Sequence, residues 1–150
     1  MAATTESEIV TRMRADLTEA TRQRDQVRLD TIRMALDGFT QEEVARNRAE
    51  LSEQDRVVIL GKQIKQRNDA AEIFRNAGRT ELADKETRQA EILRAYMPQM
   101  LGDDEVREQV SRLIAEHGKV FKTIMPLAAK ELRGRADSRR VSEIVHEMTA

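Results

Sequence analysis

Residues 62–98 read KQIKQRNDAAEIFRNAGRTELADKETRQAEILRAYMP, and the reading of this stretch decides the fold. Val57, Leu60, Ile64, Ala71 and Phe74 recur at gaps of three, four, seven and three, which puts them on one face of a helix. Such a face must be buried. Leu82, Ala90, Leu93 and Met97 form a second stripe beyond the turn. One charge interrupts each stripe, Arg67 in the first and Glu86 in the second. Gly78 suits the left-handed residue after a helix C-terminus, Thr80 suits the cap of the next helix, and Pro98 cannot continue a helix beyond Met97. The spacing predicts an antiparallel hairpin with Arg67 in reach of Glu86 or Gln89. Two arrangements stay open for Arg67. It forms a partly buried pair that fixes register, or it lays its stem along the stripe and puts its guanidinium into water.

Upstream, Ile9, Met13, Leu17 and Ala20 predict a first helix over about Glu6 to Thr21. A second begins near Asp25 with Val27, Ile32, Ala35, Leu36, Phe39 and Val44 on its apolar side. Gly38 within it is either a weak point or a place of close helix approach. Ser52 to Asp55 resembles a capping box that opens the third helix, with Asp in the place of the usual Glu. Downstream of Pro98, acids at Asp103, Asp104 and Glu105 mark a helix start that Gly118 ends, with Val106, Val110, Leu113 and Ile114 as its stripe. A sixth helix runs from about Thr123 to Leu132, with Pro126 tolerated only in its first turn. After Gly134, Asp137 caps a last helix carrying Val141, Ile144, Val145 and Met148. The fold class is all-α, a four-helix N-terminal domain over residues 1–98 followed by a small three-helix C-terminal domain over residues 99–150.

A chain of 150 residues, with no Trp, one Tyr and three Phe, builds its core from aliphatic residues and Met. Basic and acidic residues balance at 26 against 27, so no global pull towards nucleic acid or membrane exists. The charge is uneven in the C-terminal part. Residues 99–118 carry a net of −3, whereas seven cations against two carboxylates give residues 119–140 a net of +5. That segment holds Lys130, Arg133, Arg135, Arg139 and Arg140, a set able to meet a phosphate backbone or to serve as a solvated face. Arg outnumbers Lys by 20 to 6 across the whole chain, which weakens any special reading of Arg in one place.

Catalytic chemistry is not visible. His117 and His146 stand apart without ligand-spaced partners, no glycine loop cradles phosphate, and Ser52, Ser111, Ser138 and Ser142 sit in no nucleophile motif. Zero cysteines exclude disulfides and thiolate chemistry and suit a reducing compartment. Residues Met1 to Val10 carry acids and no apolar signal core, and no run reaches membrane-spanning length. These features lead to the expectation of a cytoplasmic monomer without cofactor, metal or membrane contact.

Ile32-Arg33-Met34, Lys62 to Arg67, Phe74, Ala77-Gly78-Arg79, Leu82, Glu86, Leu93, Tyr96-Met97-Pro98 and Gly134-Arg135-Ala136-Asp137 together resemble the stand-alone YqeY-like members of the GatB/YqeY family, in order and over essentially the whole chain. The resemblance implies an all-α protein with a larger N-terminal and a smaller C-terminal helical domain. It extends to the tRNA-contacting tail of the GatB component of the glutamine-dependent tRNA amidotransferase, a carbon-nitrogen ligase whose chemistry lies in other domains. Ser138 and Gln89 depart from the family pattern, which often has Gly and Glu there, and the connection from Gly118 to Thr123 is short. What the resemblance implies is a non-catalytic accessory protein that binds tRNA or a tRNA-handling enzyme, with Arg135 and its neighbours Lys130, Arg133, Arg139 and Arg140 as phosphate contacts. The competing reading is a helical protein-protein adaptor with no nucleic-acid role, whose N-terminal hairpin docks a partner helix.

Overall fold

Most breaks between helices coincide with a side-chain cap or a left-handed residue, and the one after α4 falls at Pro98. The computed structural model describes residues 6–150, so half of the Met1 to Val10 stretch lies outside the described residues. The first helix, α1 (Glu8–Gln23), starts after Ser7, whose hydroxyl accepts from the Val10 N–H at 3.0 Å. It runs two residues past Thr21 and ends at Arg24, a left-handed residue with φ 57°. Asp25 then caps α2 (Gln26–Ala45) by accepting from the Arg28 N–H at 3.2 Å. Both halves of the capping box at α3 (Glu53–Asn76) are present: the Asp55 N–H donates to Ser52 Oγ at 3.1 Å and the Ser52 N–H to the Asp55 carboxylate at 3.0 Å.

The hairpin turn is tighter than the sequence implied. Gly78 takes φ 74°, its N–H donates to the Arg75 carbonyl at 3.1 Å, and the Arg79 N–H donates back to the Phe74 carbonyl at 2.8 Å. This paired closure satisfies the orphan carbonyls of α3. It also consumes the turn, so α4 (Thr80–Arg94) starts at once, and its N-cap is Arg79 rather than Thr80, without a side-chain cap. The seam between α3 and α4 is lined by alanines, with Ala71, Ala83 and Ala90 all buried. Leu82, expected on the buried stripe, is 41% exposed, because beside it the small Ala83 fills the seam. Val44 is likewise exposed at the end of α2.

Contacts divide the chain into two units, one running to Met97 and one from Pro98 to Ala150. Met13, Ile32, Leu60, Leu93 and Tyr96 lie in the buried core of the first. There Gly38 marks a close approach: a Cβ built on it meets Gln63 Nε2 of α3 at 2.3 Å. In the second unit α5 (Asp103–His117), α6 (Phe121–Leu132) and α7 (Ser138–Thr149) pack pairwise around Val110, Ile124, Leu132, Ile144 and Val145. α6 begins two residues before Thr123, which moves Pro126 into its second turn. Pro126 has no N–H to offer the Lys122 carbonyl, so the helix forgoes that bond. Among the described residues there is no strand, and no helix is long and apolar enough to cross a membrane.

Candidate functional site

The basic turn of the C-terminal unit is held from below. Leu132 and Ala136 are buried on either side of it, Gly134 takes φ 74°, and the Leu101 N–H donates to the Arg135 carbonyl at 2.8 Å. With two apolar anchors and a backbone tie, the polar side chains between them turn outward. Lys130, Arg133 and Arg135 are exposed, and Lys130 and Arg135 enter no ion pair among the described residues. Arg139 is 89% exposed at its side chain, with its Nε 3.6 Å from Glu143. Asp137 occupies the N-cap position of α7, although its side chain makes no capping bond.

Arg140 is different. Its Nε and Nη2 donate to the two Asp103 oxygens at 3.0 and 2.8 Å, and its Nη1 donates to Glu143 at 2.8 Å. This two-pronged pairing holds the Asp103 carboxyl below the ordinary carboxylate value, and the same bonds hold the guanidinium charged. Arg140 thus straps α7 to the start of α5. Of the five cations expected to face phosphate, Arg140 is hydrogen-bonded to two carboxylates of its own chain, whereas Arg139 stands 3.6 Å from Glu143.

In the first unit Arg67 Nη1 lies 3.4 Å from Glu86 Oε2, with both side chains mostly buried. Among the described residues Arg67 Nε and Glu86 Oε2 find no hydrogen-bond partner, and Gln63 Oε1, one helical turn before Arg67, is also buried without one. Gln63 and Arg67 border a groove of about 470 Å³ between α2 and α3, where Arg33, Asp37 and Gln41 face Gln63, Gln66 and Arg67. Sequence reasoning missed this groove. Its signal was present, because Asp30, Arg33, Asp37 and Gln41 recur on one polar face of α2. A polar face reads as solvated until a second polar face is seen beside it.

Tyr96 explains the Tyr-Met-Pro segment. Its ring is buried, its hydroxyl donates to Asp16 at 2.5 Å, and the Arg12 guanidinium lies 5.2 Å from the ring centroid. Burial first, and then the Asp16 bond, push the phenol well above its ordinary value. The group is a fastener between α1 and the end of α4. His146 stacks on Phe121 at 4.0 Å, and among the described residues no cluster of His, Asp and Glu has the makings of a metal site.

A family model described as Yqey-like protein matches residues 10–149. The chain belongs to the YqeY-like family. Curated relatives of this YqeY-like chain carry the name Altered inheritance of mitochondria protein 41, mitochondrial. The one from Pyrenophora tritici-repentis is 32% identical, over 97% of this chain and 83% of its own length. Those from Clavispora lusitaniae and Lachancea thermotolerans are 28% and 30% identical, over 72% and 71% of this chain. The chain spans 64% and 58% of the length of those two relatives. These names correct the expectation of a cytoplasmic protein, since all three point to mitochondria. The error has a physical source: missing cysteines and missing apolar spans fit any reducing aqueous compartment and cannot tell one from another.

Proposed function

We propose that this YqeY-like chain is a non-catalytic accessory protein that binds tRNA through the turn between α6 and α7. The observation that supports this reading is the exposure of Lys130 and Arg135, without ion pairs among the described residues, around a turn anchored by Leu132 and Ala136. Cations on a rigid turn meet a phosphate backbone at little ordering cost. Arg139, loosely held by Glu143, adds to the patch, and Arg133 lies within it. Arg140 braces the patch from behind.

Filter binding of bulk and mitochondrial tRNA across a salt series tests the reading. About three phosphate contacts predict a log–log salt slope of roughly −3. Reversing Arg135 and Arg139 to Glu lowers affinity about tenfold or more while the melting temperature holds. A flat salt response, or unchanged affinity in the reversed variant, moves the reading to the adaptor. Ile73, 68% exposed on α3, and Leu82 on α4 favour that second reading, as apolar side chains open to a partner helix.

A further inference from the structure

We propose that the groove between α2 and α3 binds a small zwitterion, a free amino acid or a molecule that likewise carries one carboxylate and one ammonium group. This site lies in the N-terminal unit and does not depend on the RNA reading. Its volume, about 470 Å³, falls within the range of small-molecule sites.

The chemistry of the lining selects the ligand. Arg33 has Asp30 three residues before it and Asp37 four residues after it on the same helix face, yet it pairs with neither. Asp30 instead accepts from Gln26 at 2.7 Å, and Asp37 makes no ion pair among the described residues. One helix face therefore offers an uncommitted guanidinium and an uncommitted carboxylate a single turn apart. A carboxylate satisfies the first and an ammonium the second, at the separation that one small molecule spans.

The facing wall adds amides. Gln63 and Gln66 of α3 and Gln41 of α2 bring both donors and acceptors, which suit the polar remainder of such a ligand. Gln63 is pressed against α2 at Gly38, the one residue there that leaves room for its amide. Arg67 is drawn to Glu86, leaving Arg33 as the anion subsite. A polyanion is disfavoured by Asp30 and Asp37, and an apolar ligand finds only Met34.

Amide-resolved NMR titration of the full chain tests the proposal, with glycine, L-glutamate, L-glutamine and L-lysine as probes, and acetate, methylamine and inorganic phosphate as single-charge controls. At least one amino acid is expected to saturate shifts confined to α2 and α3 at millimolar concentration or below, with acetate and methylamine at least about tenfold weaker. Arg33→Glu and Asp37→Lys, both at exposed positions that leave the fold intact, each weaken binding about tenfold. Gly38→Ala, which displaces the Gln63 amide, weakens it less. Saturation by no amino acid, equal binding of acetate or phosphate, or unchanged affinity in Arg33→Glu overturns the proposal.

Discussion

The two units reach a defined helical packing by different means. In the first, polar groups are built into the interior: Ser7, Thr31, Asp55 and Arg56 are buried, Arg67 meets Glu86 between α3 and α4, and three of four helices begin with a side-chain cap. In the second, no polar residue is buried among the described residues, no helix has a side-chain cap, and the charges sit at the rim, where Arg140 clasps Asp103. Buried polar groups tolerate few wrong registers, because a mispaired one is expensive. An apolar core is held by shape alone, and it leaves surface cations available. The first unit is thus specified from within, and the second keeps its charges for the outside.

The largest expected effects test whether shape carries the second unit. Ile144→Ala, in its fully buried core, should cost about 2 to 5 kcal/mol in urea unfolding, and Leu60→Ala in the first unit a similar amount. A loss below about 1 kcal/mol at Ile144 breaks the comparison.

Next comes the interior pair. Arg67→Ala or Glu86→Ala leaves a mostly buried charge without its partner, a loss of about 1 to 3 kcal/mol for a pair still partly open to water. The double variant should recover part of this, with a coupling of about 1 kcal/mol in a double-mutant cycle, and additive losses rule out direct pairing. Caps come third. Ser52→Ala removes a capping box and should cost about 1 kcal/mol, while Asp137→Ala, which loses no capping bond, should change stability by only a few tenths.

The smallest effect is in pH. Because Arg140 holds the folded Asp103 carboxyl below its ordinary value of 3.8, the contribution is complete above that value and fades as pH falls through the depressed one. The stability gap between the native chain and Arg140→Gln should therefore close on acidification, as read by urea melts. Glu53 behaves alike in the first unit. Burial raises its carboxyl, but bonds from Ser7, Arg56 and the Ile9 N–H together outweigh this and hold it low. A gap at Arg140 that stays constant with pH removes the clasp from the account.

Helix number and order were legible because their signals are local: Gly78, Gly118 and Gly134 all take positive φ where the chain turns, and Ser52 and Asp55 close their box. What was not legible depended on neighbours. Arg24 adopts a left-handed conformation that its residue type gives no reason to expect. Ala83 is buried in place of Leu82 because helix spacing, which periodicity does not report, admits only a small residue. The basic residues were visible in the sequence, but the internal commitment of Arg140 was not, since Asp103 lies 37 residues away. The α2/α3 groove needs two helices side by side before it exists at all.

The alanine seam between α3 and α4 also bears on how the molecule forms. Small side chains let two adjacent segments meet with little to order, and the loop to be closed is only a few residues long. Contacts between sequence neighbours form early, so this hairpin is the natural nucleus for the first unit, ahead of the distant pairing of α1 with the end of α4. Substitutions at Ala71, Ala83 or Ala90 should accordingly slow refolding, whereas loss of the Tyr96 hydroxyl should mainly hasten unfolding.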